Sequence, residues 1–265
     1  MAITTVISAL GAPGVSTTVA ALATAWPGPV LAVDADPVRG SLVPGWLSRW
    51  WVDGRITTEA GVVTFAASTR RMTSVPAEGL VGHTAEVPNA RHIRVLPGVV
   101  HAEQAVAIGA DGWSRLASAL RDLSETGPDV LVDAGRWCPQ TPWPLLNAAD
   151  RVLLAVRPNL RSCSGSTDLA RHLADRFERV ELAVLAADSR GASDTARAVD
   201  APRGLTLPDD TPSARVFADG ATEPLHLARR PLWKATRRTA RVLHAQAHRP
   251  VGFHRGLETT QAGVE

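Results

Sequence analysis

Apolar runs recur along the chain, separated by segments of helical period or by irregular stretches. Ile3 to Ala9 is one such run, rich in β-branched residues, and reads as a buried strand. Ser16 and Thr17 then open an alanine-rich segment, Val19 to Ala25, that reads as a helix. Further strands are predicted over Pro29 to Val33, His92 to Leu96, Pro128 to Val132, Arg151 to Val156, Val180 to Ala186 and Gly204 to Leu207. Between them, Trp113, Leu116, Leu120 and Leu123 fall at helical spacing and predict a helix over Asp111 to Ser124. Helices are also predicted over Thr58 to Ser68, with Thr58 opening a capping box, over Pro144 to Ala149, and over Leu160 to Phe177. Trp46 and Trp50 stand four apart, share a helical face, and read as packing. Arg70 to Ala90 reads as an irregular, mobile loop. Strands that are apolar throughout and alternate with helices predict an α/β fold: a mostly parallel central sheet with helices on both faces.

Composition narrows the picture. The chain has 265 residues, 45% of them hydrophobic and 20% charged, enough for a substantial core. We expect one domain over residues 1–249 and a disordered tail over 250–265. The formal net charge of +2 is too small to argue for a nucleic-acid partner. Cys138 and Cys163 match no metal or redox spacing. The beginning lacks the basic and apolar regions of a signal peptide, and no apolar run reaches the roughly 18 residues of a membrane span. A cytoplasmic protein is the expectation. Near the end, Lys234, Arg237, Arg238 and Arg241 interleave with Leu232, Ala240, Leu243 and Ala247 over Pro231 to His248. This basic helix (residues 229–249) reads first as a closing helix with its apolar stripe on the core. The alternative is peripheral contact with a membrane surface or, non-specifically, with DNA at the nucleoid.

The candidate chemistry begins in ITTVISALGAPGVSTT, Ile3 to Thr18. A strand, a glycine-containing loop and a hydroxyl-bearing helix start form the arrangement that cradles phosphate, because loop N–H groups and the helix dipole converge on one anion. The loop residues are Gly11, Ala12, Pro13, Gly14, Val15, Ser16 and Thr17. A P-loop reads G-x4-G-K-[ST], and here Val15 stands where its lysine neutralises phosphate. Carboxylates follow at two strand ends. Asp34-Ala35-Asp36-Pro37, with Gly40 beyond, ends the second strand, where ligands of open α/β sheets bind. Asp133-Ala134-Gly135 ends the strand from Pro128, the Walker B pattern in which a carboxylate reaches Mg²⁺ directly or through water.

SALGAPGVSTT resembles the deviant Walker A motif S-A-K-G-G-V-G-K-T-T of ParA/MinD-type ATPases, with matches at Ser8, Ala9, Gly11, Gly14 and Thr17. Asp34, Asp36, Pro37 and Gly40 resemble that family's D-x-D-P-x-G element, and Ala149 to Pro158 its A-D-x-V-L-L-V-x-x-P strand. The resemblance implies a P-loop NTPase fold that binds ATP or ADP with Mg²⁺. Ser16, Asp36 and Asp133 would hold the metal, and Asp34 and Asp36 would serve catalysis. Pro208 and Asp209 would line the nucleotide's edge. Asp188 would offer an acceptor to the base, where the family usually has an asparagine and this chain has Ala186 and Ala187. A homodimer that positions or partitions a cargo would be the functional state.

Both family lysines are replaced, by Leu10 and Val15, and Lys234 is the one lysine among 28 basic residues. Truncating a charge–charge contact in a partly desolvated site costs roughly 2–5 kcal/mol. Two readings follow: a nucleotide-binding protein with weak or absent hydrolysis, or a pseudo-ATPase scaffold that binds protein partners and no nucleotide. Arg39, Arg136 and Arg157, all beside strand ends, are the candidates to supply the missing charge.

Overall fold

The computed structural model describes residues 2–11, 14–73 and 75–248. In chain order the elements are β1 (Ile3–Ser8), α1 (Val15–Ala25), β2 (Val30–Asp34), α2 (Ser48–Val52), α3 (Val62–Ser68), α4 (Ala77–Val81), β3 (Ala85–Val87) and β4 (Ala90–Leu96). There follow α5 (Ala102–Thr126), β5 (Asp129–Arg136), α6 (Trp143–Asn147), β6 (Arg151–Val156), α7 (Leu160–Ala174), β7 (Val180–Leu185), α8 (Ser189–Val199), β8 (Arg203–Leu207), α9 (Thr211–Asp219) and α10 (Pro231–Ala247). One eight-stranded sheet runs in the order β3-β4-β2-β5-β1-β6-β7-β8. Every pairing is parallel except β3 with β4.

Alternation along the central strands sends side chains into cores on both faces. Val6, Leu131, Leu153 and Ala183 join Val19 and Leu22 of α1, with Phe217 of α9 and Leu243 of α10, on one face. On the other, Ile3, Val130 and Val132 pack with Phe65, Leu80, Leu116 and Leu120 from α3, α4 and α5. Ile7, Val152, Leu154 and Val184 pack there with Leu169, Leu173 and Val199 from α7 and α8. This two-sided burial explains why the strands are apolar at nearly every position. Helix α1 is buried almost all round because α10 closes over it, and its alanines permit that approach. The apolar stripe of α10, Leu232, Ala240 and Leu243, faces the core, while Arg237, Arg238 and Arg241 are exposed.

Three local expectations change. Residues 70–90 are not a loop throughout: they hold α4 and the edge strand β3, joined to β4 through Pro88 and Asn89. Asn89 takes φ 67, the left-handed value that an asparagine tolerates after proline in a type II turn. Helix α3 starts at Gly61 rather than Thr58, and its cap bond comes from the Gly61 N–H to Thr64 Oγ1 at 2.9 Å. Trp46 ends a wide turn over Leu42–Trp46 and Trp50 belongs to α2, so no single helix carries both. The proposed tail lies outside the described residues.

Candidate phosphate-binding site

Parallel strands deliver their carboxyl ends to one edge, and a cavity of about 520 Å³ opens there. Its wall comes from Ser8, Gly11, Gly14, Val15, Ser16 and Thr17, faced by Asp36, Ser41, Gly135, Arg136, Arg157 and Phe217. Gly14 takes φ 112, a conformation a side chain would strain, and so brings the chain from the loop into α1. Its carbonyl accepts from Thr18 N at 2.9 Å and from Thr18 Oγ1 at 2.8 Å. The first-turn amides of α1 have no partner within the helix, and the residues that bear them border the cavity. Ala12 and Pro13 lie outside the described residues.

The three carboxylates named from the sequence sit in three different environments. Asp34, the last residue of β2, pairs in register with Asp133 of β5. Asp34 is 1% exposed, and its Oδ2 accepts from Leu42 N at 2.8 Å. A Cβ on Gly40 or Gly98 would come within 2.9 Å or 2.8 Å of that side chain, so both glycines are shaped around it. Asp34 borders a small void of about 90 Å³ with Arg39, Gly40 and Gly98, not the larger cavity. Burial, then repulsion from Asp133, raises its pKa well above the ordinary carboxylate value.

Asp36 does border the larger cavity. Its Oδ1 accepts from Val38 N at 2.8 Å, and a Cβ on Gly135, which takes φ 63, would fall 2.3 Å from its Cγ. Burial raises the Asp36 pKa against the opposing pull of the Val38 and Arg39 amides and the Arg136 guanidinium. Asp133 is fully buried. Its Oδ1 accepts from Gly135 N at 2.9 Å, while Oδ2 has no hydrogen-bond partner. Burial pushes its pKa up to about 6, with the nearby Ser16 hydroxyl and the Gly135 amide pulling down and Asp36 pushing up. Ser16 Oγ in turn accepts from Ser41 Oγ at 2.7 Å. An orphaned carboxylate oxygen beside a serine hydroxyl fits the oxygen donor set of Mg²⁺.

The cationic side of the cavity is built from residues other than the missing lysines. Val15 is buried in the core. Leu10 is 37% exposed, and it lies against Gly165 of α7, where an added Cβ would be 2.7 Å from Leu10 Cδ1. Arg136 reaches back to the loop: a Cβ on Gly11 would stand 3.4 Å from its Nη1. Arg157 borders the same cavity, while Arg39 borders only the small void.

The remaining candidates stand away from this cavity. Pro208 is half-buried and Asp209 exposed, and neither borders it. The next residue, Asp210, is buried and bonded to Arg230 Nε at 2.9 Å and to Ser213 Oγ at 2.8 Å. Burial opposes its charge, yet those bonds hold its pKa below the ordinary value. Asp188 caps α8, accepting from Gly191 N at 2.7 Å. Ser8 belongs to the loop motif read from the sequence, whereas Phe217 and Ser41 were not named there as site residues. Phe217 arrives from α9, far along the chain, and nothing local to it signals a cavity.

Comparison of structures places this geometry. The MinD septum site-determining protein of Pyrococcus horikoshii, solved with Mg-ADP, superposes with a TM-score of 0.72 at 16% identity, over 93% of this chain and 97% of that one. The MinD cell division protein of Aquifex aeolicus gives a TM-score of 0.70 at 19% identity, over 92% and 98%. A ParA family ATPase of Chlorobium tepidum gives 0.71 at 17%, over 91% and 98%. The chain therefore has the ParA/MinD-type P-loop NTPase fold. No family model matches the sequence, and no curated protein does.

Proposed function

We propose that the cavity binds the phosphates of ATP or ADP with Mg²⁺, and that the chain is a ParA/MinD-like positioning or partitioning protein with weak or absent hydrolysis. The observation that carries this reading is Asp133: a buried carboxylate with an unpartnered oxygen beside Ser16, at the foot of a glycine loop. Such an oxygen is costly unless a ligand satisfies it. Ser16 and Asp133 would hold the metal, with Asp36 close by, and the metal would neutralise charge on the terminal phosphates. The first-turn amides of α1 would orient those phosphates, and Arg136 and Arg157 would supply the charge that Leu10 and Val15 do not. Asp34 would act at a distance, holding the loop around Gly40 and Gly98, whereas Asp36 is the carboxylate able to face a nucleotide.

Hydrolysis would be weak because the position of the family's signature lysine is an apolar side chain turned onto α7. A homodimer about this face is part of the proposal; exposed Leu10, Val38 and Trp137 give it an apolar component. The Aquifex MinD has also been solved with MinC, and a protein partner is proposed here by analogy. Cytoplasmic residence follows the same reading; no described helix is long and apolar enough to cross a membrane.

The packing of Leu10 and the burial of Val15 favour a second reading, a scaffold that binds proteins and no nucleotide. Calorimetric titration with ATP and ADP, with and without Mg²⁺, separates the two. Micromolar, Mg²⁺-dependent binding that Ser16→Ala weakens about tenfold is the expected result. No heat at millimolar nucleotide would overturn the first reading and leave the scaffold.

A further inference from the structure

At the opposite edge of the sheet, where β5 begins, the Asp129 carboxylate gathers four nitrogens. Ala2 N donates to Oδ1 at 3.0 Å. Trp26 Nε1 lies 3.0 Å from Oδ2, His244 Nδ1 lies 2.8 Å from it, and His248 Nε2 lies 3.1 Å from it. Asp129 is 2% exposed, whereas the two imidazoles reach the surface. His244 stands in the last turn of α10 and His248 caps it, four residues on and on the same face. Their ring centroids are 4.2 Å apart.

The arrangement over-subscribes one oxygen. A carboxylate has about two lone-pair directions per oxygen, and Oδ2 faces three nitrogens. A cation resolves the excess. Each imidazole then turns a lone pair to the ion, the ion takes one lone pair of Oδ2, and Trp26 N–H keeps the other. The His244 and His248 nitrogens and the Asp129 oxygen all lie within 4.8 Å of one another, the one His/Cys/Asp/Glu group among the described residues to do so. Small ring rotations bring that to the ~3.4 Å edge of a tetrahedron with bonds near 2.1 Å.

We propose that Asp129, His244 and His248 form a Zn²⁺ site, with a solvent molecule in the fourth position. Two imidazoles with one carboxylate favour zinc, cobalt or nickel over magnesium or calcium. The indole of Trp26 orients the carboxylate from the second layer of contacts. The site fastens three separate stretches: the chain near Ala2, the end of α1 at Trp26 and the end of α10. It is independent of the phosphate cavity, which lies at the other end of β5.

The test uses the full chain without an affinity tag, stripped with EDTA. Zinc is titrated by calorimetry, and Co²⁺ is followed by its visible ligand-field absorption. The expected result is one ion per chain at micromolar affinity, a tetrahedral-type Co²⁺ spectrum and a melting temperature raised by zinc. His248→Gln should weaken binding at least tenfold, and His244→Gln likewise. Folding of these variants is secured separately, since Gln246 also anchors this end of α10 by accepting from Arg179 Nη2 at 3.0 Å. A wild-type chain that takes up no zinc at concentrations well above micromolar would overturn the proposal. So would histidine variants that fold and bind zinc as tightly as the parent, since the ion would then sit elsewhere.

Discussion

Asp129 opens β5 and Asp133 stands four residues further along it, and both are buried, yet they live in opposite electrostatic states. Asp129 is surrounded by donors. Burial works against its charge, but Trp26, His244, His248 and the Ala2 amide outweigh burial and hold its pKa below the ordinary value. Asp133 receives one amide at Oδ1, has no hydrogen-bond partner at Oδ2, and, even with the Ser16 hydroxyl pulling down, its pKa rises to about 6. Burial opposes the charge in both places, more heavily at Asp133, and the donors around Asp129 reverse its outcome there. At the amino end of the sheet the carboxylate has more nitrogens around it than one oxygen needs. The carboxyl end carries a polar deficit that a bound cation would relieve.

The sharpest way to break this contrast is Asp129→Ala. It strands the Trp26 and Ala2 N–H groups and removes the contact of α10 with the start of β5. Each buried donor left without a partner costs about 1–3 kcal/mol, so a total loss of about 3 kcal/mol is expected. For a chain of this size that lowers Tm by roughly 6–12 °C. Urea unfolding monitored by tryptophan fluorescence measures it, and a loss below about 1 kcal/mol would refute the donor-count argument.

Asp133→Asn should act in the other direction. The raised pKa means that the native state holds a proton that the unfolded state has released, between the ordinary value of 3.8 and about 6. Stability contributed by protonation is present at the low end of that window, falls as pH rises through it, and stays lost above it. The difference of about 2 pKa units corresponds to roughly 2–3 kcal/mol. Asn removes the ionisation, so metal-free protein at neutral pH should gain about 2 kcal/mol and lose its pH slope in this window. The same variant should lose Mg²⁺-dependent nucleotide binding. Asp129, with its lowered pKa, gives the opposite slope: stability present above 3.8 and lost as pH falls through the native value. Denaturation midpoints across pH 4–7 for parent and variant check the sign, and a parent whose stability rises across the window would sink it.

Arg136→Ala probes how the carboxyl end meets anions. Nucleotide affinity should fall about tenfold, or ~1.4 kcal/mol, with little change in folding stability. Asp36 should also become harder to ionise, because the Arg136 guanidinium holds its pKa down. Titration of the Asp36 carboxyl by NMR reads this directly; an unchanged midpoint would separate the two residues.

These contrasts also show what the sequence could disclose. Two-sided burial of parallel strands leaves continuous apolar runs, so β1, β2, β5, β6 and β7 were legible as strands. The glycine loop and the aspartates at strand ends were legible because their chemistry is local. Asp34, however, looks equal to Asp36 in the sequence; only the closeness of Gly40 and Gly98 shows that it faces the other way. Arg136 was named as a charge donor, but its approach to Gly11 needed the β1–β5 pairing. Strand β3 has three residues, too few for a period to register, and α8 passed unnoticed because its buried positions are Ala192, Thr195 and Val199. The Asp129 cluster joins residues 115 positions apart and was invisible for the same reason.

The smallest effect concerns strain at the carboxyl edge. Ala186 follows β7 with φ 56, in the left-handed region that costs a residue with a Cβ about 1–2 kcal/mol. Asparagine tolerates that region through local hydrogen bonding, and it avoids the extra unfolded-state freedom that glycine would introduce. Ala186→Asn should therefore stabilise the chain by about 0.5–1 kcal/mol, or roughly 1–4 °C in Tm. Ala186→Gly should gain less, because its relief in the native state is offset by a more disordered unfolded chain. Gly outperforming Asn would mean that the half-buried site has no room for the larger side chain, and that contact rather than backbone conformation controls this corner. Asn outperforming Gly would place a small energetic debt at the edge that borders the cavity, with no counterpart in the hydrogen-bonded surroundings of Asp129.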